Sequence, residues 1–248
     1  MKKVQATIKI LNWLSGAVIY ESEKPTFKEA VEEAIKSGAN MSYADMSGAN
    51  MSGANMRGAN MRGADMSDAN MRDANMRGAN MRDADKSGAN MRDANMRGAD
   101  MRGANMRDAN MRDADMRGAD MSGADMRGIP LANLPKFFVN SCSRDILFVL
   151  EHLKAEVPFL RDKLIKGEVD GSQYEGECAC LIGTLGNADG GVDAVCKAIP
   201  FYEKSVHNPG ETWFLNIRKG DTPENNEFAK HVLTLIDIVL DPTTNEAS

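Results

Sequence analysis

Between Ala39 and Gly128 the chain has no leucine, isoleucine, valine or phenylalanine. A stretch that lacks the usual core formers ordinarily stays disordered, because it cannot bury enough apolar surface to offset ordering entropy. Cysteine is scarce as well. Four in 248 residues do not make a disulfide framework, and a reducing cytoplasm is the compartment expected. No run of twenty apolar residues is present, so no membrane partner is expected. The residues after Met1-Lys2-Lys3 are too polar for the apolar part of a signal peptide.

What fills the stretch is one five-residue phrase said eighteen times: Ala, Asn or Asp, Met, Arg or Ser, Gly or Asp. Only Tyr43 and Lys86 depart from it. Seventeen of the eighteen methionines stand at its centre, so Met here marks a position and not a composition. A period this strict excludes a random polar tract. It also excludes the common regular elements. On an α-helix, five residues advance by a net step of roughly 140°, which scatters the methionines around the cylinder. In a straight strand an odd period sends them to alternate faces. A chain that turns a corner at every fifth residue keeps them together. Ala and Met, two apart, then point inward, while Asn, Asp, Arg and Ser point outward. Gly or Asp at the fifth place supplies the tight bend. The result is a stacked coil, a solenoid with a methionine core. A Cu(I)-binding column of thioethers is conceivable, but plain core is the expectation.

The phrase A-[N/D]-M-[R/S]-[G/D] resembles that of the pentapeptide-repeat family, A-[D/N]-L-x-x, with Met where Leu or Phe is usual. The resemblance implies a mainly β solenoid. It would be a right-handed quadrilateral β-helix of about four to five coils over residues 39–128. At a strand spacing of ~4.8 Å such a rod would be roughly 20 Å tall. Lys86 takes a Met place. A lone ammonium inside the tube costs several kcal/mol, so its side chain is expected to escape through a loosened corner or to snorkel toward Asp83 or Asp85.

The flanks read differently. In residues 1–38, Val4, Ala6, Ile8 and Ile10 alternate as in a strand, Ser15-Gly16 marks a turn, and Ala17–Tyr20 makes a second strand. A helix follows Pro25-Thr26, with Phe27, Ala30, Val31, Ala34 and Ile35 on one face and Ser37-Gly38 at its end. A hairpin-helix cap of this kind would cover the open edge of the coil. Residues 129–248 are expected to form a C-terminal α+β, helix-rich domain. Its helices would be Arg144–Lys154 capped by Ser143, a second starting at Pro158 and closing at Lys166-Gly167, and a last one capped by Thr222-Pro223-Glu224, with a strand at Thr212–Ile217. The phrases Gly176-Glu-Cys-Ala-Cys-Leu-Ile-Gly-Thr-Leu-Gly186 and Trp213-Phe-Leu-Asn-Ile-Arg-Lys-Gly-Asp-Thr-Pro-Glu-Asn-Asn226 resemble a domain attached to phage-encoded pentapeptide-repeat proteins, as does the N-terminal lead-in. That implies a phage or prophage origin and carries no catalytic residue across.

Candidate chemistry is thin. Cys178 and Cys180, with Cys142, Cys196, His152, His207 and His231, invite a zinc reading. The C-x-C spacing does not match the common C-x2-4-C knuckle, and no paired histidines follow. Buried thiols are the better account. No Cys is tied to a particular His as a nucleophile pair. Gly183, Gly186, Gly190 and Gly191 do not form a phosphate loop. Trp213 and Phe214 read as core, and Glu224 and Glu227 as first-turn acids. No enzyme and no cofactor are expected.

Charge bears on partners. The repeats carry twelve Arg and Lys86 against thirteen Asp, and residues 129–248 carry eleven basic against eighteen acidic residues. Arg57, Arg77, Arg97 and Arg117 would stack on one side of a twenty-residue coil, as would Arg62, Arg82 and Arg102. Asp68, Asp73, Asp83, Asp93, Asp108 and Asp113 alternate with Gly beside them. The balance reads as self-neutralising surface ladders. A binding or scaffold protein is expected, with a protein partner, which the resemblance makes a host protein, or a second copy held through the C-terminal domain. The alternative is a DNA-mimicking inhibitor or protector of gyrase, as some members of that family are. Mimicry needs a surplus of negative charge that the repeats do not have. Direct nucleic-acid binding is disfavoured for the same interleaving of charge.

Overall fold

Every pentapeptide solves the same local problem, which is to turn a corner without leaving its backbone groups unpaired. The Ala N–H of one phrase donates to the Met carbonyl of the phrase before it, as from Ala49 to Met46 at 3.1 Å. This closes a turn whose central residues are Arg or Ser and Gly or Asp. The second of these has positive φ throughout, for example +67° at Gly58 and +59° at Asp73. Glycine adopts that conformation freely, and Asp is among the few L residues that tolerate it. The Asn or Asp side chain braces the corner. Its Oδ1 accepts the N–H two residues on, at 3.1 Å from Ser47 to Asp45 and 3.3 Å from Arg57 to Asn55.

Four corners return the chain over itself. This computed structural model describes residues 7–171, 199 and 213–241. Parallel bridges join residues twenty apart, from Asp45↔Asp65 to Asn105↔Asp125. The Met and fifth-place N–H groups donate to the next coil, as from Met51 to Asn70 and from Gly53 to Arg72, both 2.8 Å. The Asn or Asp N–H donates to the previous coil, as from Asn70 to Ala49 at 2.9 Å. The methionines of the tube are at most 6% exposed.

The first coil has no earlier coil beneath it, and the N-terminal elements stand in. Strands β1 (Ile8–Leu11) and β2 (Val18–Ser22) pair antiparallel. Helix α1 (Phe27–Lys36) starts at Thr26, whose Oγ1 accepts the Glu29 N–H at 3.2 Å, and it buries Ala30, Val31 and Ala34. The orphan Asp45 N–H donates to the Leu11 carbonyl at 2.8 Å. The orphan Asn55 N–H donates to Glu32 Oε1 at 2.7 Å, and the Ser52 carbonyl accepts from Lys28 Nζ at 3.1 Å. At the other end Met111 N–H finds the Asn133 carbonyl at 2.9 Å, in the short 3-10 turn Leu131–Asn133. The chain divides into two compact units, Met1–Phe137 and Phe138–Ser248, and the Asn133 carbonyl just past the repeats serves Met111 of the last coil.

The second unit is described as helices α2 (Lys136–His152), which begins two residues before the division, α3 (Val157–Ile165) and α4 (Glu227–Leu240). Their shared interior includes Ile146, Val149, Leu160, Leu164, Trp213, Phe214, Phe228 and Val232. Three expectations are corrected. Ser143 caps nothing: it lies inside α2 and its hydroxyl donates to the Val139 carbonyl. The last helix is capped by Asn226, whose side chain accepts from Ala229 N–H, and not by Thr222. In place of a strand, Trp213-Phe214 form a helical turn, and Trp213 Nε1 donates to the Phe228 carbonyl at 3.1 Å. The Cys178–Leu185 segment lies outside the described residues. No described helix is long and apolar enough to cross a membrane.

Candidate functional site

A four-sided coil of identical phrases sorts its surface residues into columns twenty apart, and the four sides carry different charge. The side beginning at Ala39 and the side beginning at Ala49 are zipped. On the first, Arg82 lies 3.6 Å from Asp83, and Arg102 lies 2.6 Å from Asp100 and 3.6 Å from Asp120. On the second, Arg72 lies 3.4 Å from Asp73 and 3.8 Å from Asp93, and Arg92 and Arg112 pair with Asp93 and Asp113. These are the self-neutralising ladders the sequence implied.

The other two sides are not neutral. The side beginning at Ala44 shows Asp45, Asp65, Asp68, Asp85, Asp108 and Asp125 against Arg107 and Arg127. The side beginning at Ala54 shows Arg57, Arg77, Arg97 and Arg117 against Asp115 alone. Asp115 is engaged by Arg117 at 2.6 Å, and the Arg117 hydrogen bond holds its carboxyl down to about 2. Arg57, Arg77 and Arg97 are exposed and make no side-chain hydrogen bond or ion pair among the described residues. Glycines 58, 78, 98 and 118 accompany them, and nothing lies within 4 Å of where their Cβ atoms would be. Sides two phrases apart in a four-sided coil are opposite. The repeat unit is therefore a polar rod, acidic on one side and basic on the other. Counting charge over the whole stretch hid this; sorting the same residues by twenty finds it.

Lys86 belongs to the acidic side but does not reach its surface. It is wholly buried, and its Nζ has no hydrogen-bond partner. Escape through a corner is thus corrected, since the corner after it is intact, with Ala89 N–H bonded to the Lys86 carbonyl at 3.1 Å. Desolvation pushes its pKa down to about 7, opposed by the charge of Asp85. Asp83 pairs with Arg62 and Arg82 instead.

The sulfur and imidazole candidates do not converge among the described residues. No group of three His, Cys, Asp or Glu side chains that could hold a metal ion occurs there. Cys178, Cys180, Cys196 and His207 lie outside the described residues. Cys142 is a buried free thiol whose pKa is raised by burial. His152 bonds the Phe148 carbonyl within its own helix. His231 is the one placed by tertiary structure: its Nε2 lies 2.8 Å from Ser143 Oγ, and its ring is 4.9 Å from that of Trp213. Because the Ser143 proton is directed to Val139, the imidazole is the donor, which is a positioning contact and not an activated hydroxyl. Trp213 and Phe214 are core, as read from sequence.

The family description of pentapeptide repeats matches eight copies within residues 37–68, 49–85, 69–108 and 89–128. Among solved structures, a pentapeptide repeat protein from Nostoc is 32% identical, covering 44% of this chain and 84% of its own, with a TM-score of 0.35. One from the thylakoid lumen of Arabidopsis thaliana is 30% identical, covering 42% and 68%, with a TM-score of 0.30. QnrB1, a plasmid-mediated fluoroquinolone resistance protein, is 17% identical, covering 38% and 56%, with a TM-score of 0.22. Among curated proteins none matches.

Proposed function

Because the chain belongs to the pentapeptide-repeat family, whose repeats form a right-handed β-helix, we propose that it is a non-enzymatic binding or scaffold protein that presents the faces of a rigid rod to a protein partner. The observation that carries this reading is the fixed ladder of outward side chains. Each is held at its Cα by the coil and oriented by an Asx-braced corner, so whole sides act as flat recognition surfaces. The acidic C-terminal region is a second recognition element. The resemblance of the flanks to phage-encoded relatives makes a host protein in the bacterial cytoplasm the partner to seek first. The test is capture from bacterial lysate with the full chain as bait, beside variants altered on one side only. A partner retained by the wild type and lost from one of the variants supports the reading. Retention of nothing at physiological salt overturns it.

A second reading, DNA mimicry directed at gyrase, has one observation in its favour, the six carboxylates of the acidic side. The arginine side opposite them weighs against it, since a duplex is negative all round.

A further inference from the structure

Resting on the reading of the rod as a binding surface, we propose that the arginine side, Arg57, Arg77, Arg97 and Arg117, takes the acidic side of a second copy of this chain, forming a lateral, head-to-tail association. The two sides fit in sign. Among the described residues, three of the four arginines make no side-chain hydrogen bond or ion pair, and the opposite side carries six carboxylates against two arginines. They also fit in pitch. Arginines step once per coil on one side. Asp45, Asp65, Asp85 and Asp125 step with the same interval on the other, with Asn105 the single neutral rung. A second rod laid alongside therefore meets the ladder rung for rung at ~4.8 Å.

Shape allows the approach. The glycine column beside the arginines leaves that side flat. An acidic face of the same fold matches it better than single-stranded nucleic acid does, because the arginine side has no aromatic residue on which a base could stack. Since the complementary sides are opposite each other in one rod, the contact is heterologous and does not close into a two-fold dimer. Being made of exposed charges, it is sensitive to salt.

The repeat supplies variants that keep the fold. Ser already stands in the Arg place at Ser47 and Ser52, Asn in the Asp place at Asn70, and Gly in the fifth place at Gly78. Arg57→Ser/Arg77→Ser/Arg97→Ser disables the basic side, and Asp65→Asn/Asp68→Gly/Asp108→Gly disables the acidic side. Sedimentation of the full chain at ~100 µM is compared in about 20 mM and about 500 mM salt, where screening shortens from roughly 20 Å to about 4 Å. The wild type is expected to show at least about a twofold rise in average mass at low salt, while each variant stays monomeric, and the two variants mixed form a one-to-one pair. A monomeric wild type at low salt overturns the second-copy assignment. So does association that both variants retain. Binding of a labelled duplex by the monomeric wild type, lost with the arginines, reassigns the side to nucleic acid. A monomer that still captures a lysate protein overturns this inference and leaves the binding reading standing; a monomer that captures nothing overturns both.

Discussion

Lys86 and Asp85 are neighbours in sequence on opposite sides of the tube wall. The Lys86 ammonium is enclosed among the methionines with no hydrogen-bond acceptor. The Asp85 carboxylate lies outside, accepting from Ser87 N–H and Oγ and from Asn105 Nδ2. The alternation of the extended segment forces this separation, so the nearest counter-charge cannot reach the amine.

Lys86→Met is therefore expected to stabilise the repeat unit by about 2 kcal/mol or more, by replacing an unpaired buried charge with the side chain every other coil uses at that place. The effect also has a pH signature. With the folded pKa near 7 and the ordinary value at 10.5, the unfolded chain binds the extra proton between them. Wild-type stability should rise with pH across that window, and the difference from Lys86→Met should shrink as it does. Denaturant midpoints of both proteins at neutral and alkaline pH measure this. A difference that does not change with pH would mean Lys86 stays charged and satisfied.

The fifth place of the repeat accepts Gly or Asp, but not everywhere equally. At Gly63 a Cβ would lie 2.5 Å from Tyr43 Cε1, whereas at Gly78 nothing lies within 4 Å. The Tyr43 backbone cannot shift easily: it holds φ of +60°, its carbonyl accepts from Trp13 N–H at 3.0 Å, and Trp13 Nε1 bonds the Gly63 carbonyl at 2.8 Å, so relief would have to come from rotation of the tyrosine ring. Both substitutions carry the ~1 kcal/mol or more of a left-handed L residue. Gly63→Asp should cost roughly 2 kcal/mol beyond Gly78→Asp. Equal thermal midpoints would show that the Tyr43 ring swings aside.

His231 gives the second unit its own pH dependence. Burial lowers its pKa below the ordinary 6.5, because the protonated ring would have to be desolvated. A base with a depressed folded pKa lends stability fully above 6.5, and that contribution is lost as pH falls from there toward the folded value. Imidazole proton shifts followed by NMR should titrate below 6.5. His231→Gln should flatten the acid limb of the stability curve for this unit. A normal titration would place the ring in solvent.

How much of this was legible in sequence depends on the kind of information each residue carries. The coil, the inward Met and Ala and the turn-forming fifth place follow from the period, because local conformation and burial repeat together. The helix boundaries of the second unit were less legible. Ser143 has the side chain of a cap but the surroundings of a helix interior, and Asn226, three residues after Pro223, does the capping that Thr222 was expected to do. The polar rod needed one more step than the period itself: Arg57 and Asp45 look balanced in a tally and separate only when the twenty-residue coil assigns them to opposite sides.

That separation decides the remaining prediction, on gyrase. A mimic of duplex DNA presents negative charge around its circumference, as the two phosphate strands do. Here one side is acidic, two are zipped by Arg–Asp pairs, and the fourth would set Arg57, Arg77 and Arg97 against any surface that binds DNA through positive charge. The full chain at ~10 µM should leave gyrase supercoiling unchanged, and changing the salt should not bring inhibition out, since salt screens the attractive and the repulsive side alike. Inhibition at much lower concentration would reverse the argument. If Asp65→Asn/Asp68→Gly/Asp108→Gly then abolished that inhibition, the acidic side would be shown to be required for mimicry.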